Sequence, residues 1–115
     1  MKQKHIPILT VKFYKTSNDS EPVREWLQSL SMERKKKIGE DIKTVQFGWP
    51  LGMPVVRKID KSLWEVRTRL RDGIARVLFT VVSNNTIVLL HGFIKKSQKI
   101  SQEDLKTAKN RLNNF

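Results

Sequence analysis

Three runs of alternating residues in the second half of the chain constrain the fold more than any other feature. The runs are Leu63 to Leu70, Ile74 to Val82 and Thr86 to Lys95. Asp72-Gly73 follows the first run and Asn84-Asn85 follows the second, and both pairs favour tight turns between antiparallel strands. We therefore predict a three-stranded antiparallel meander with these two pairs as its loops.

Three other segments carry the N-terminal signals and the apolar spacing of helices. Asp19 and Ser20 are candidate N-caps for a short first helix, and Ser31 for a second. Ser101 and Asp104 form a variant of the capping box ahead of a last helix. These signals predict two helices before the meander and one helix after it.

Two further strands complete the predicted fold. Leu9 to Tyr14 alternates between apolar and polar residues, and Val56 to Ile59 follows a segment rich in proline and glycine. The element order is then β-α-α-β-β-β-β-α, which predicts an α+β fold with a small antiparallel sheet flanked by helices. At 115 residues, the chain fits one domain over residues 1–115.

Charge limits the classes of partner. The chain has 23 Lys and Arg against 11 Asp and Glu, a net charge of +12. So basic a domain repels itself unless a polyanion or an acidic partner neutralises it, and nucleic acid is the first candidate. No apolar run approaches the roughly 20 residues of a membrane span, so we expect no membrane partner.

Residue usage also bears on cofactors and location. The chain has no cysteine, which excludes disulfides and thiolate ligands and suits a reducing cytoplasm. Its two histidines are far apart, and neither a zinc-binding motif nor a glycine-rich phosphate loop is present. We therefore expect a cytoplasmic protein that uses neither a metal nor another cofactor.

The predicted loops set the register of the meander. They pair Arg69 with Arg76, Arg67 with Leu78, and Arg76 with Phe93. One face then carries the apolar side chains of Trp64, Val66, Thr68, Leu70, Ala75, Val77, Phe79, Val81, Val88, Leu90 and Ile94. The other face carries Glu65, Arg67, Arg69, Arg76, His91, Phe93 and Lys95.

The clustered arginines call for an anion. Like charges directly opposite each other destabilise a sheet, and guanidinium groups bind phosphate through two hydrogen bonds. A bound phosphodiester is one interpretation. The alternative is that the arginines lie on a solvated face and pair with Glu65 or Asp60. His91 has a similar alternative, since a histidine flanked by leucines is often a hydrogen-bonded core residue.

Two segments of this region resemble a known group of proteins. Leu63-Trp64-Glu65-Val66-Arg67 with Gly73 to Phe79 is similar to the central hairpin of the RelE/HigB toxin superfamily. The segment His91 to Lys99, with Ala108 and Arg111, resembles the signature of its phage-derived Gp49-like branch. The resemblance in element order extends over nearly the whole chain, and these motifs lie within about residues 63–111.

The resemblance implies a toxin of a type II toxin-antitoxin system. Such a toxin is a metal-independent endoribonuclease that cleaves mRNA in the ribosomal A site and is neutralised by a cognate helix-turn-helix antitoxin. Arg67 and Arg76 match positions that contact phosphate and the transition state, and Lys95 and Lys96 match a basic pair after the last strand. Glu65 stands where many relatives have lysine.

The implied reaction is attack of a 2′-hydroxyl on the adjacent phosphorus. Cations would offset the charge that develops on the phosphorane oxygens. We assign this role to Arg67 and Arg76, with Lys95 or Lys96 assisting. The candidates for the base are a lysine crowded among the arginines, Glu65 and His91, of which we favour Glu65.

Further residues on the same surface are candidates for RNA binding. Arg69, Lys96 and Lys99 are candidates for contacts to the RNA backbone, although a basic tail can also simply keep a protein soluble. Phe93 or Trp49 could stack on a base.

Three other functions remain open at this point. A non-catalytic nucleic-acid-binding module would have the same basic face. A toxin of the same superfamily that acts on DNA gyrase would have the same fold. An interaction protein could use the basic face to bind an acidic partner.

Overall fold

The computed structural model describes residues 9–83, 85–97 and 99–115, and its elements follow the predicted order. The strands are β1 (Thr10–Phe13), β2 (Val56–Asp60), β3 (Leu63–Leu70), β4 (Gly73–Val82) and β5 (Thr86–Lys95). The helices are α1 (Pro22–Gln28), α2 (Met32–Gly48) and α3 (Gln102–Asn113). The predicted α+β class, with a small sheet flanked by helices, is confirmed.

The five strands form one sheet in the order β1-β5-β4-β3-β2. Neighbours among β2, β3, β4 and β5 are antiparallel, as predicted. The first strand runs parallel to β5, so the sheet is mixed and not wholly antiparallel. Alternation in the segment from Leu9 to Tyr14 indicates a strand, but it contains no information about the direction of that strand or its neighbour.

Helices cover both faces of the sheet and bury two separate apolar clusters. On the first face, Val23 of α1 and Ile38, Ile42 and Val45 of α2 join Val66, Val77 and Phe79. On the second face, Ala108 of α3 joins Leu63, Leu78, Val88 and Leu90. Since α3 covers only one end of the second face, the charged residues of β3, β4 and β5 lie beside it.

The first hairpin differs from the predicted register by two residues. Leu70 pairs with Gly73, so the loop is Arg71-Asp72 and not Asp72-Gly73, and Arg67 faces Arg76. Both carboxylate oxygens of Asp72 accept hydrogen bonds from Nη2 of Arg34, at 2.9 and 2.7 Å. The turn thus lies one residue earlier than predicted, and this contact joins it to α2. A shift of two residues preserves the predicted faces, because side chains alternate with a period of two.

In the second hairpin, two deviations from the prediction compensate each other. Val82 pairs with Thr86, so three residues, 83–85, connect the strands instead of the predicted pair. Residue 84 of that pair lies outside the described residues. A bulge follows, since Phe79 pairs with Leu89 while Leu78 pairs with His91. Arg76 therefore faces Phe93, as predicted.

The bulge also reverses the face of the first half of β5. Val88 and Leu90 were predicted on the same face as Phe79, but they pack on the α3 side of the sheet. Ile87 and Leu89 occupy the predicted positions instead. The extra residue of a bulge changes which side chains point to each face, and it is not visible in an alternating pattern.

The predicted caps are correct for two of the three helices. Ser31 Oγ accepts a hydrogen bond from the Arg34 amide at 3.2 Å, and Ser101 Oγ accepts one from Asp104 at 3.0 Å. The N-cap of α1 is Glu21, whose side chain makes no capping hydrogen bond. The predicted cap Ser20 instead bonds Thr16 within the preceding turn, at 2.8 Å between hydroxyl oxygens.

Candidate nucleic-acid interface

Three arginines surround one glutamate on the second face of the sheet. Arg57, Arg67 and Arg76, which we call the arginine cluster, come from β2, β3 and β4. The Oε1 atom of Glu65 lies 3.0 Å from Nε of Arg57 and 3.6 Å from Nε of Arg67. The other carboxylate oxygen lies 3.6 Å from Nη1 of Arg76. The pairing of β2 with β3 and of β3 with β4 produces this arrangement, because Glu65 lies opposite Arg57 and Arg67 lies opposite Arg76.

Burial dominates the electrostatics of the cluster. The side chains of Glu65 and Arg76 are fully buried. Burial raises the pKa of Glu65, although the charges of Arg57, Arg76 and Arg67 act in the opposite direction. Burial also lowers the pKa of Arg76; Glu65 opposes this change, and Arg67 and Arg57 add to it. One carboxylate cannot neutralise three guanidinium groups, so the cluster keeps an excess of positive charge.

The alternative in which the arginines pair with local carboxylates is therefore partly correct. Glu65 does bind Arg67 and Arg76 of the predicted face, together with Arg57 of β2, and it separates charges that would otherwise repel across the strands. Asp60 does not take part, since its carboxylate lies 2.7 Å from Lys109 of α3. That ion pair lowers the pKa of Asp60.

The members of the cluster differ in their access to solvent. The side chain of Arg57 is 33% exposed and that of Arg67 is 11% exposed. Buried Arg76 donates a hydrogen bond from Nη2 to the Ser97 carbonyl, which ties β4 to the segment after β5. Arg57 and Arg67 are thus the members placed to touch an anion. The guanidinium group of Arg76 is buried, so it contributes its positive charge without contact with the anion.

A second group of charged residues lies where α3 meets β5. The Oδ1 atom of Asp104 lies 2.8 Å from Nε2 of His91, and Oδ2 lies 3.1 Å from Nζ of Lys95. The Ser101 hydroxyl donates to Oδ2 at 2.8 Å. We call these four residues the Asp104 network. Burial alone would raise the pKa of Asp104, but hydrogen bonds from His91, Ser101 and Lys95 outweigh it, and the pKa is lowered.

The remaining predicted site residues lie around these two groups. Phe93 is half-buried between the two β5 members of the Asp104 network, with its ring 5.5 Å from that of His91 and 5.5 Å from Nζ of Lys95. Arg69, Lys96 and Lys99 are exposed. The structure thus brings Glu65, Arg67 and Arg76 together, places His91 and Lys95 in an adjacent group, and leaves the three exposed cations at the margin.

Base stacking by Trp49 is not compatible with its position. Its ring packs edge-on against Trp64 and Phe79, with centroids 5.1 and 5.6 Å away. These aromatic residues belong to the apolar cluster under α1 and α2. Trp49 is therefore on the opposite face of the sheet from the arginine cluster.

Sequence reasoning missed two members of the site. Arg57 lies in a strand that was predicted, but its contact with Glu65 depends on the pairing of β2 with β3. Asp104 was identified only as a capping residue. The histidine on β5 and a carboxylate in the first turn of α3 are 13 residues apart in sequence, and no local pattern links them.

The model of the phage-derived protein Gp49-like family (DUF891) matches residues 25–113. The chain belongs to this family. The matched region includes all of β2, β3, β4, β5 and α3, and therefore both groups of charged residues. No curated protein matches this Gp49-like chain.

Two features are absent from the described part of this Gp49-like protein. None of its helices there is both long and apolar enough to cross a membrane. Among the same residues, no three His, Cys, Asp or Glu side chains come together as a possible metal site.

Proposed function

We propose that this Gp49-like protein is the toxin of a type II toxin-antitoxin system and a member of the RelE/HigB superfamily. Its activity would be cleavage of mRNA on the ribosome, which stops translation in the cytoplasm. The observation that carries the proposal is the arginine cluster, in which Arg57, Arg67 and Arg76 converge on a single carboxylate. A phosphodiester supplies the negative charge that Glu65 alone does not.

The proposed reaction needs no metal. The 2′-oxygen forms a bond to phosphorus, the bond from phosphorus to the 5′-oxygen breaks, and the products are a 2′,3′-cyclic phosphate and a 5′-hydroxyl. A base accepts the proton of the 2′-hydroxyl, and the departing 5′-oxygen takes a proton from water. Donors held in place before the reaction stabilise the charge on the phosphorane oxygens.

The geometry supports a division of roles. Arg57 and Arg67 contact the phosphorane oxygens, and Lys95 assists from β5. Buried Arg76 raises the positive potential, and Glu65 holds the guanidinium groups in one orientation. A buried glutamate is poorly placed to receive a proton from RNA, whereas the side chain of His91 is 19% exposed. We therefore propose His91 as the base in preference to Glu65.

The proposed partners follow from charge and from the family. Ribosomal and messenger RNA are polyanions that match the net charge of +12. Arg69, Lys96 and Lys99 extend the basic surface beyond the reacting phosphate. We further propose that a helix-turn-helix antitoxin binds the protein and blocks this surface.

The test is cleavage of message in a cell-free translation reaction, with new mRNA 5′ ends mapped. Wild type, Arg67→Gln and Arg24→Gln are compared, with and without ribosomes. Arg24 is the matched control, because it is a partly exposed arginine that pairs with Glu21 and lies over the Phe13 ring. We expect ribosome-dependent cuts with wild type and the control, and about a 100-fold loss for Arg67→Gln.

Other outcomes favour the other functions. If wild type binds RNA in a salt-sensitive way but leaves it intact, the protein is a binding module and the enzyme proposal is wrong. If translation continues and gyrase supercoiling stops, the target is DNA gyrase. Equal cleavage by wild type and Arg67→Gln would refute the role given to the arginine cluster.

A further inference from the structure

We propose that Asp104 is a positioning residue that orients His91 as the base of the cleavage reaction. The proposal rests on the proposed ribonuclease function and adds to it a residue from α3. It starts from the hydrogen bond of 2.8 Å between Oδ1 of Asp104 and Nε2 of His91.

The hydrogen bond determines which nitrogen of His91 can act. An ionised carboxylate only accepts hydrogen bonds, so Nε2 of His91 must carry a proton and donate the hydrogen bond to Asp104. In the neutral ring, Nδ1 then holds the lone pair. This nitrogen accepts the proton of the 2′-hydroxyl as the bond from the 2′-oxygen to phosphorus forms. The carboxylate also stabilises the imidazolium ion that results.

The surroundings of Asp104 keep it in this state. Its Oδ2 atom receives hydrogen bonds from the Ser101 hydroxyl at 2.8 Å and from Lys95 at 3.1 Å. Its backbone amide is held by the same serine, at 3.0 Å. Both carboxylate oxygens and the main chain are thus fixed, so the ring of His91 has a rigid partner. Such a partner reduces the motion that would misalign a base.

A purely structural role is the competing explanation. The Asp104 network also ties the start of α3 to β5, and loss of a tether could disturb the site without any effect through His91. The protein contains a matched tether for comparison. Lys109 of α3 lies 2.7 Å from Asp60 at the end of β2, and this pair does not involve His91. Asp60→Asn therefore removes a tether of α3 and leaves the histidine untouched.

The first experiment needs no substrate. The ring nitrogens of His91 are observed by two-bond ¹H–¹⁵N NMR in the full chain, and His91→Gln assigns the signals. We expect the neutral ring to have its proton on Nε2 in wild type and in Asp60→Asn. In Asp104→Asn we expect a mixture of the two tautomers. A wild-type ring protonated on Nδ1, or no change in Asp104→Asn, would overturn the proposal.

The second experiment measures single-turnover cleavage on ribosomes. We expect Asp104→Asn to lower the maximal rate at least tenfold and to change the apparent affinity for programmed ribosomes less than twofold, because a general base contributes about 10²–10⁴-fold. For Asp60→Asn, the maximal rate and the apparent affinity should each stay within twofold of the wild-type value. In a His91→Gln background, Asp104→Asn should have no further effect, since it acts through the histidine.

The results separate this inference from the function it rests on. If wild type cleaves RNA and Asp104→Asn and Asp60→Asn lose equal activity, Asp104 is only a tether and the inference fails. An additive loss in the double variant of His91 and Asp104 also refutes it. If wild type cleaves no RNA, the proposed function fails, and the NMR result still decides whether Asp104 orients the ring.

Discussion

Gly92 illustrates how a single residue type can be required by packing in another element. It lies between His91 and Phe93 on β5, and the ring of Trp26 from α1 packs directly against its backbone. A Cβ atom at this position would lie 2.5 Å from two carbons of that ring. The absence of a side chain lets α1 approach the sheet on one face. The side chains of His91 and Phe93 lie on the opposite face.

The first prediction compares Gly92 with a second glycine. Gly92→Ala should lower the free energy of unfolding by about 1–3 kcal/mol, because a large ring or the strand must move. Gly39→Ala should raise it by about 0.5–1 kcal/mol, since Gly39 lies inside α2 with no atom near the added methyl group. Urea denaturation measures both. A loss of stability in both variants, or in neither, would contradict this account.

Helix α3 has the same kind of cap as α2 but a different connection to the rest of the molecule. In both helices the hydroxyl of the capping serine accepts a hydrogen bond from the amide three residues later. Ser101 also donates its proton to Asp104, whose carboxylate binds His91 and Lys95. The cap of α3 is therefore coupled to β5, whereas the cap of α2 is exposed.

The second prediction follows from this difference between the helices. Ser31→Ala should lower the free energy of unfolding by about 1 kcal/mol, the usual effect of losing a cap. Ser101→Ala should lower it by about 2 kcal/mol, because a carboxylate also loses one of its hydrogen bonds. Chemical denaturation of the two variants gives the comparison. Equal losses would mean that the hydrogen bond from Ser101 to the carboxylate contributes nothing to stability.

At the scale of the whole molecule, acidic side chains neutralise the positive charge to a different extent in different regions of the surface. Many of the cations form ion pairs with a nearby carboxylate, such as Arg34 with Asp72 and Lys109 with Asp60. The second face of the sheet is different, because the arginines of its cluster share the carboxylate of Glu65, and exposed Arg69 and Lys96 lie nearby. When the cations of this face bind a polyanion, they should release the counterions that were condensed on it.

The third prediction concerns the salt dependence of RNA binding. The probe is a single-stranded 2′-O-methyl RNA, which has no free 2′-hydroxyl and is not cleaved. Arg69→Gln should reduce the slope of log affinity against log salt by about 0.7, the contribution of one phosphate contact on a single strand. Arg24→Gln should leave the slope unchanged. Fluorescence anisotropy over a salt series measures both, and equal slopes for wild type and Arg69→Gln would exclude this contact.

Local patterns predicted most of the elements and much of the charged face. The strands from Leu63 to Leu70 and from Thr86 to Lys95 have the predicted bounds, and the helices begin after Ser31 and Ser101 as their caps indicate. Alternation also placed Glu65 and the arginines of β3 and β4 on one face. These features depend on residues close in sequence, for which the period of a strand and the chemistry of a cap are sufficient information.

Tertiary structure alone decided the loops, the direction of β1 and the members of the site. The turn at Asp72 lies one residue earlier than predicted and is joined to Arg34 of α2, and the bulge in β5 redistributed four apolar side chains between the faces. Arg57 and Asp104 joined the site through partners on other elements. Each of these features depends on contacts between residues distant in sequence, whose geometry is set only when the helices pack on the sheet.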